Sequence, residues 1–182
     1  KRDVFDGKGI KPDVSTDREN LSQIAATLLA KLLIFDYASN YYKIHDSIES
    51  PKKFELTDDE YANFISFLAD KDYSYETKSE RLLESLKKTA EKEGYYKRID
   101  EEYKNLQHKI DKEKEEDLEH FKDEIKQILE NEIISRYYFQ NGRIIQSLDD
   151  DLDVLEAKNV LKNKMKYNQL LSGTFSESKE GN

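Results

Sequence analysis

Apolar residues recur three and four positions apart along most of this chain, which is the period of an amphipathic helix. The clearest segment covers residues 111–140 and contains no proline and no glycine. The pattern predicts that it forms one continuous helix, about 45 Å long at 1.5 Å per residue, whose end enters a core. Five residues define its apolar stripe: Leu118, Phe121, Ile125, Leu129 and Ile133.

Three Thr-x-x-Glu sequences precede runs of this kind, namely Thr16 to Glu19, Thr57 to Glu60 and Thr77 to Glu80. In such a capping box the threonine hydroxyl accepts a hydrogen bond from a first-turn amide, and the glutamate accepts one from the cap amide. The boxes and runs predict helices over residues 17–47, 58–70 and 78–93. The first helix is expected to bury a stripe formed by Leu21, Ile24, Ala25, Leu28, Leu32 and Phe35.

The glycines and the spacing of apolar residues predict the bounds of the remaining helices. Gly94 is predicted to end the third helix in a left-handed cap. A fourth helix is predicted to begin near residue 95 and to run unbroken into the helix of residues 111–140, which Gly142 then ends. The last periodic run predicts a single helix that carries Leu152, Leu155, Val160, Leu161 and Met165.

Composition agrees with an all-α fold. Charged residues make up 38% of the chain and hydrophobic residues 36%, which is typical of helices exposed on one side. Two prolines and six glycines are too few for the many turns of a β-sandwich. We therefore predict an all-α, multi-helix domain with long helices, preceded by a short extended segment.

Charge and residue content exclude several kinds of site. A net charge of −9 disfavours binding to nucleic acid or to an anionic membrane surface. The absence of cysteine excludes disulfides and thiolate metal sites. No apolar run approaches the roughly 20 residues that a membrane span requires. Because the first residue is Lys1, we expect the chain to be an excised or processed segment of a longer protein.

Three segments differ in composition. Residues 1–14 contain Gly7, Gly9 and Pro12, and we interpret them as the trailing extended edge of an upstream domain. Residues 15–172 form the predicted helical domain. Residues 173–182 are polar, and we predict a disordered tail.

Two clusters invite a metal-binding interpretation. Asp149, Asp150, Asp151 and Asp153 resemble calcium ligands, but they lack the spacing of an EF-hand, and we interpret them as a helix N-cap with favourable dipole charges. His120 lies four residues from both Glu116 and Glu124, so one helix would place all three side chains on one face. Charged helix surfaces commonly produce such triplets, and we interpret this one as a solvated face.

Other residue patterns are interpreted as structural. In each of the pairs Tyr41–Tyr42, Tyr95–Tyr96 and Tyr137–Tyr138, we expect one ring in the core and the other at its polar rim, although an aromatic binding surface is the alternative. We interpret Lys158, Lys162, Lys164 and Lys166 as a solvated basic face. The chain contains no nucleophile elbow, Walker loop or dinucleotide fingerprint. We predict no catalytic, cofactor-binding or metal-binding residue.

The sequence Asp6-Gly7-Lys8-Gly9-Ile10-Lys11-Pro12-Asp13-Val14 resembles the stretch that ends the protease core of carboxy-terminal processing (tail-specific) serine peptidases. The following segments are similar to the long helical C-terminal extension of the Bacteroidetes-type members. These segments cover residues 28–38, 54–68, 77–96 and 132–142.

The resemblance implies a parent endopeptidase of the bacterial periplasm or cell envelope, with a Ser–Lys dyad and a PDZ domain upstream of Lys1. The present chain would then be non-catalytic. Its implied partners are the protease core and its protein substrates, with an adaptor or a second subunit as further candidates. The alternative is a non-enzymatic helical scaffold for protein–protein interaction, in which the Gly7–Val14 match arises by chance.

Overall fold

The computed structural model describes residues 12–16, 20–148 and 151–175, and all regular secondary structure in these ranges is helical. The predicted all-α class is confirmed. The helices are α1 (Gln23–Ala30), α2 (Leu33–Ile44), α3 (Asp58–Leu68), α4 (Lys78–Lys92), α5 (Tyr96–Glu115), α6 (Asp117–His120), α7 (Lys122–Ser147), α8 (Leu152–Lys162) and α9 (Lys164–Ser172).

The chain divides into two compact units. The larger unit comprises Leu21–Arg143, and the smaller comprises Lys1–Asn20 together with Ile144–Asn182. The predicted boundaries after residues 14 and 172 stay predictions. Most of the predicted protease edge and of the predicted tail, residues 1–11 and 176–182, lies outside the described residues.

The core of the larger unit lies between α1, α2, α3 and α7. The second half of the predicted 111–140 stripe supplies its centre, because Ile125, Leu129 and Ile133 are fully buried. Leu118 and Phe121, at the start of that stripe, pack against this core but are only partly buried. The other largest fully buried side chains of this core come from α1, α2, α3 and the 54–56 segment: Ile24, Leu28, Ile34, Leu56, Phe64 and Leu68.

The predicted continuous helix through residues 95–140 is wrong. Helix α5 ends at Glu115, the single turn α6 follows, and α7 begins at Lys122. At this interruption the Tyr61 hydroxyl donates to the backbone oxygen of Leu118 at 2.5 Å, and the Tyr75 hydroxyl hydrogen-bonds to Asp117. These side chains come from α3 and from the loop before α4, so tertiary contacts hold the bend where the sequence has no breaker.

A second interruption lies at Phe139, whose backbone (φ 56°, ψ −155°) is non-helical. Gly142 was predicted to end the helix, but it is buried within α7 and its φ is not positive. A β-carbon built on Gly142 would lie 2.4 Å from Tyr138 Cβ and 2.8 Å from Ile134 Cγ2. Glycine is therefore required here by close packing after the kink, not by a left-handed turn.

The predicted first helix is also divided. Helices α1 and α2 meet at Leu32, a left-handed residue with φ 59°. The break rotates the buried face, so Leu33, Ile34 and Tyr37 are in the core, while Leu32 and Phe35 of the predicted stripe are 60% and 52% exposed.

Two of the three capping boxes are confirmed, at Thr57–Glu60 and Thr77–Glu80. The first box does not open α1: its N-cap is Ser22, whose hydroxyl accepts from the Ala25 amide at 3.2 Å. Glu19 of that predicted box lies outside the described residues. The Ser22 amide donates at 3.0 Å to the carboxylate of Glu124 on α7, so a different helix supplies the carboxylate that a local box would provide.

Helices α4 and α5 form an antiparallel hairpin, which we call the arm. Gly94 has φ 78°, which confirms the predicted left-handed cap. The Tyr95 amide bonds to the Ala90 carbonyl and the Gly94 amide to the Glu91 carbonyl, both at 3.2 Å, which is the Schellman pattern. Leu83, Ala90 and Tyr103 are buried in the arm, apart from the main core.

In the smaller unit the predicted single last helix is divided into α8 and α9 at Asn163. The Asn163 side-chain oxygen accepts from the Lys166 amide at 3.1 Å and caps α9. The Lys166 ammonium then lies 2.6 Å from the Glu156 carboxylate on α8. The Asn163 cap and the Glu156–Lys166 ion pair thus join two short helices, where the apolar pattern alone predicts one helix.

Candidate functional site

The acidic cluster at the start of α8 acts as a helix cap in its described part. The Asp151 carboxylate accepts from the amides of Asp153 and Val154 at 2.8 and 3.0 Å, which confirms the cap interpretation for this residue. The Asp153 carboxylate accepts from the Thr16 hydroxyl at 2.5 Å. Asp149 and Asp150 lie outside the described residues.

The Glu116, His120 and Glu124 triplet does not lie on one continuous helix, because Glu116 is the N-cap of α6, His120 is the last residue of α6, and Glu124 belongs to α7, which begins after the break at Phe121. The His120 ring packs edge-on against Phe121, with ring centroids 4.6 Å apart. Glu124 is committed to the Ser22 amide. Within the described ranges, no cluster of three or more histidine or carboxylate side chains has the geometry of a metal site.

The tyrosine pairs follow the core-and-rim prediction in two of three cases. Tyr41 is buried while Tyr42 is 50% exposed, and Tyr137 packs against the core while Tyr138 is exposed. The prediction is wrong for Tyr95 and Tyr96. Both of these rings are half-buried, and the tyrosine that the arm buries is Tyr103.

The predicted basic face is confirmed for Lys158, Lys162 and Lys164, whose side chains are exposed. Lys166 differs, because it is half-buried between the Glu156 carboxylate and the ring of Phe175, whose centroid is 5.5 Å from the ammonium nitrogen. One of the four lysines therefore has a structural role that its charge pattern does not reveal.

Buried polar groups in the larger unit serve packing. The hydroxyls of Tyr37 and Tyr41 donate to the backbone oxygen and to the carboxylate of Glu60, at 3.0 and 2.7 Å. Burial, together with the hydrogen bond to Glu60, raises the pKa of Tyr41 well above its usual value. Burial opposes ionisation of Glu60, but hydrogen bonds from Thr57 and Tyr41 outweigh it and lower the pKa of that carboxyl.

The pKa of Glu130 shifts in the opposite direction to that of Glu60. Its carboxylate accepts from the Leu56 amide at 2.8 Å and so holds the segment before α3 against α7. Burial nevertheless dominates and raises the pKa of Glu130. Sequence reasoning named Glu124 only as part of the His120 triplet and did not find the amide-binding roles of Glu124 and Glu130, because a glutamate that binds a distant amide has the same local sequence pattern as one that faces water.

A lysine fixes the base of the arm. Lys114 of α5 donates to the Tyr75 carbonyl at 2.7 Å and to the Glu80 carboxylate at 2.8 Å, and it lies 4.7 Å from the centre of the Tyr75 ring. Burial opposes ionisation of Glu80, but the hydrogen bonds from Lys114 and Thr77 outweigh it and lower its pKa. These charges are mutually satisfied, which indicates a joint that orients the arm and not a reactive centre.

The smaller unit carries an open groove of about 800 Å³ between residues 12–16 and helices α8 and α9. Seven residues form its apolar lining: Pro12, Val14, Ala157, Val160, Leu161, Tyr167 and Leu170. Its polar rim includes Asp153 and Glu156, whose bonds to Thr16 and Lys166 are given above. This lining can bind an apolar surface.

The helices described by the structure include none that is both long and apolar enough to cross a membrane. Comparison with protein families gave one match, to "Probable PDZ-protease, C-terminal helical domain", over residues 24–161.

The chain belongs to this family.

The match covers α1 to α7 and nearly all of α8, so both compact units contribute to the family domain. Searches among curated proteins and among solved structures gave no match. The chain is thus a protease C-terminal helical domain.

Proposed function

We propose that this chain is the non-catalytic C-terminal domain of a serine endopeptidase of the carboxy-terminal processing, tail-specific type, in its Bacteroidetes form. The family match over residues 24–161 carries the proposal. The Gly7–Val14 sequence, which resembles the end of that protease core, supports it because it stands immediately before the matched domain.

In the parent protein a serine and a lysine upstream of Lys1 perform the chemistry. A lysine buried away from water loses its charge more readily, so its neutral amine accepts the serine proton as the hydroxyl attacks the peptide carbonyl. The PDZ domain binds the substrate's C-terminus by adding it as a strand to a sheet edge. Cleavage therefore occurs near C-termini, and the helical domain contacts the core, the substrate or an accessory subunit.

Proteolysis by three proteins tests this proposal: the 182-residue chain, the full-length parent, and the parent with its dyad serine changed to alanine. The probe is an unfolded casein with a fluorescent label. We expect cleavage by the parent alone. Cleavage by the 182-residue chain would refute its non-catalytic role, and a parent that lacks the serine and lysine would refute the peptidase assignment.

We also propose a periplasmic or cell-envelope location, as the family resemblance implies. Cell fractionation with an antibody against the helical domain measures it directly. Recovery with periplasmic or envelope markers is the expected result, whereas recovery with a cytosolic marker enzyme contradicts the proposal.

A second candidate function is a non-enzymatic interaction scaffold, which the arm favours. Leu82 and Leu86 of α4 and Leu106 of α5 are 61%, 49% and 48% exposed, and leucines at this spacing suit a helix laid along the arm. In that case the parent with its dyad serine replaced should retain its biological role. Loss of the role on replacing the serine would favour the peptidase.

A further inference from the structure

We infer that the groove of the smaller unit is the docking surface for the protease core of the same polypeptide. The inference rests on the proposed function, because it requires a protease core upstream. It specifies which face of the helical domain contacts that core.

The first observation is that the described residues of the smaller unit form no buried core. Among its described residues no side chain is buried. Helix α8 has 11 residues and α9 has 9, whereas isolated helices shorter than about 12–15 residues are marginal in water. Helical stability in proteins comes mainly from burying an apolar face against another element. The unit therefore requires an external apolar surface.

The second observation is the amount of apolar surface that these helices expose. Leu161 and Met165, on either side of the Asn163 cap, are 67% and 72% exposed, and Leu171 is 65% exposed. Leu161 also lines the groove, so the exposed apolar surface is continuous with the groove at that residue and is larger than one partner side chain would cover.

The third observation identifies the occupant. Residues 12–16 form one wall of the groove, and Thr16 is tied to Asp153 of α8. Residues 6–14 are the segment that resembles the end of the protease core, so the polypeptide passes from that segment directly into the groove wall. A tether this short gives an effective concentration in the millimolar range. The protease core is therefore the partner that reaches this groove first.

The charges at the rim allow this contact. Glu156 is paired with Lys166, so its charge is compensated, whereas Asp153 accepts from the neutral Thr16 hydroxyl and keeps its charge at an exposed position of the rim, where water can still reach it. An apolar core surface can cover the groove without breaking either interaction. Burial of an ion pair that is already formed is much less costly than burial of a single charge.

Amide hydrogen exchange tests the inference by comparing the full-length parent with the 182-residue chain. We expect at least tenfold slower exchange for α8 and α9 in the parent, with no change in α4, which serves as the internal control. Equal exchange of α8 and α9 in the two proteins would overturn the docking surface. That result would leave the peptidase assignment intact, because proteolysis of casein is measured separately.

A photo-crosslinking amino acid in the full-length parent identifies the occupant. Placed at position 161, it should crosslink to peptides of the upstream core. The matched control is position 82 on the arm, where Leu82 is 61% exposed and no crosslink to the core is expected. Crosslinks from position 161 to residues 21–143 or to a second copy of the chain would overturn the inference. A mass shift in tryptic peptides distinguishes these outcomes.

Discussion

Replacing Gly142 by alanine tests the packing at the α7 kink. The added methyl group would lie 2.4 Å from Tyr138 Cβ and 2.8 Å from Ile134 Cγ2, well inside the about 3.5–4.0 Å at which carbon atoms attract each other. Tyr138 Cβ is attached directly to the backbone, so no change of rotamer can move it away. Relief of the clash requires a shift of the helix segment itself.

The expected change in the free energy of unfolding follows from two opposing effects of the added methyl group. Overpacking of a well-packed site costs about 1–3 kcal/mol, and the rigid contact atom places this site near the upper end. Alanine regains about 1 kcal/mol of helix propensity relative to glycine. We therefore expect Gly142→Ala to lower the free energy of unfolding by roughly 2 kcal/mol, which corresponds to a fall in Tm of roughly 4–8 °C for a chain of this size.

Urea unfolding of the 182-residue chain, followed by far-ultraviolet circular dichroism, measures this change. The matched control is Asn141→Ala, at an exposed position of the same helix, where only the gain in propensity applies and stability should rise by a few tenths of a kcal/mol. If Gly142→Ala were as stable as the control, the close approach of the two segments of α7 would be refuted.

Five further substitutions test interhelical partners, four of them in the same unfolding assay and the fifth by amide exchange. Burial raises the pKa of Glu130 in the folded state, so the native state loses stability as pH rises from the unfolded pKa to the folded pKa of this carboxyl. Glu130→Gln should therefore stabilise the protein above that pH window, and the gain should vanish below it. A stability change that does not depend on pH would contradict this expectation. Glu130→Ala leaves the Leu56 amide unpaired and should cost about 1–3 kcal/mol. Ser22→Ala should lower the free energy of unfolding by about 1 kcal/mol, because α1 loses its side-chain cap. Glu124→Ala should lower it further, because the Ser22 amide loses its hydrogen-bond partner. If Glu124→Ala left the free energy of unfolding unchanged, the interhelical cap would be excluded. Lys114→Met should speed amide exchange in residues 73–80 by loosening the base of the arm, and unchanged exchange there would refute its role as a joint.

Local signals in the sequence were reliable wherever the stabilising groups are close in the chain. The capping boxes at Thr57 and Thr77 and the left-handed cap at Gly94 each depend on atoms within a few residues of one another. Such interactions can be predicted from the types of a few neighbouring residues. They fixed the starts of α3 and α4 and the turn of the arm.

The helix interruptions could not be predicted in the same way. Residues 116–121 and Leu32 are suitable for helices, yet the chain bends at both places. At the first, the partner of the Leu118 carbonyl is Tyr61, 57 positions away. At the second, the break directs Leu33 and Ile34 into the core. The positions of these two breaks depend on how the other helices pack, and this packing overrides the local helix propensity.

The sequence by itself determined the all-α class, the absence of a recognisable catalytic motif and the family resemblance, because periodicity, composition and short motifs are properties of neighbouring residues. The tertiary structure decided which carboxylates bind distant amides, where the long helices bend, and that the smaller unit buries none of its described side chains. The physical reason is that a hydrogen bond or an apolar contact depends on distance in space. Residues as far apart as Ser22 and Glu124 become neighbours only when the whole domain has folded.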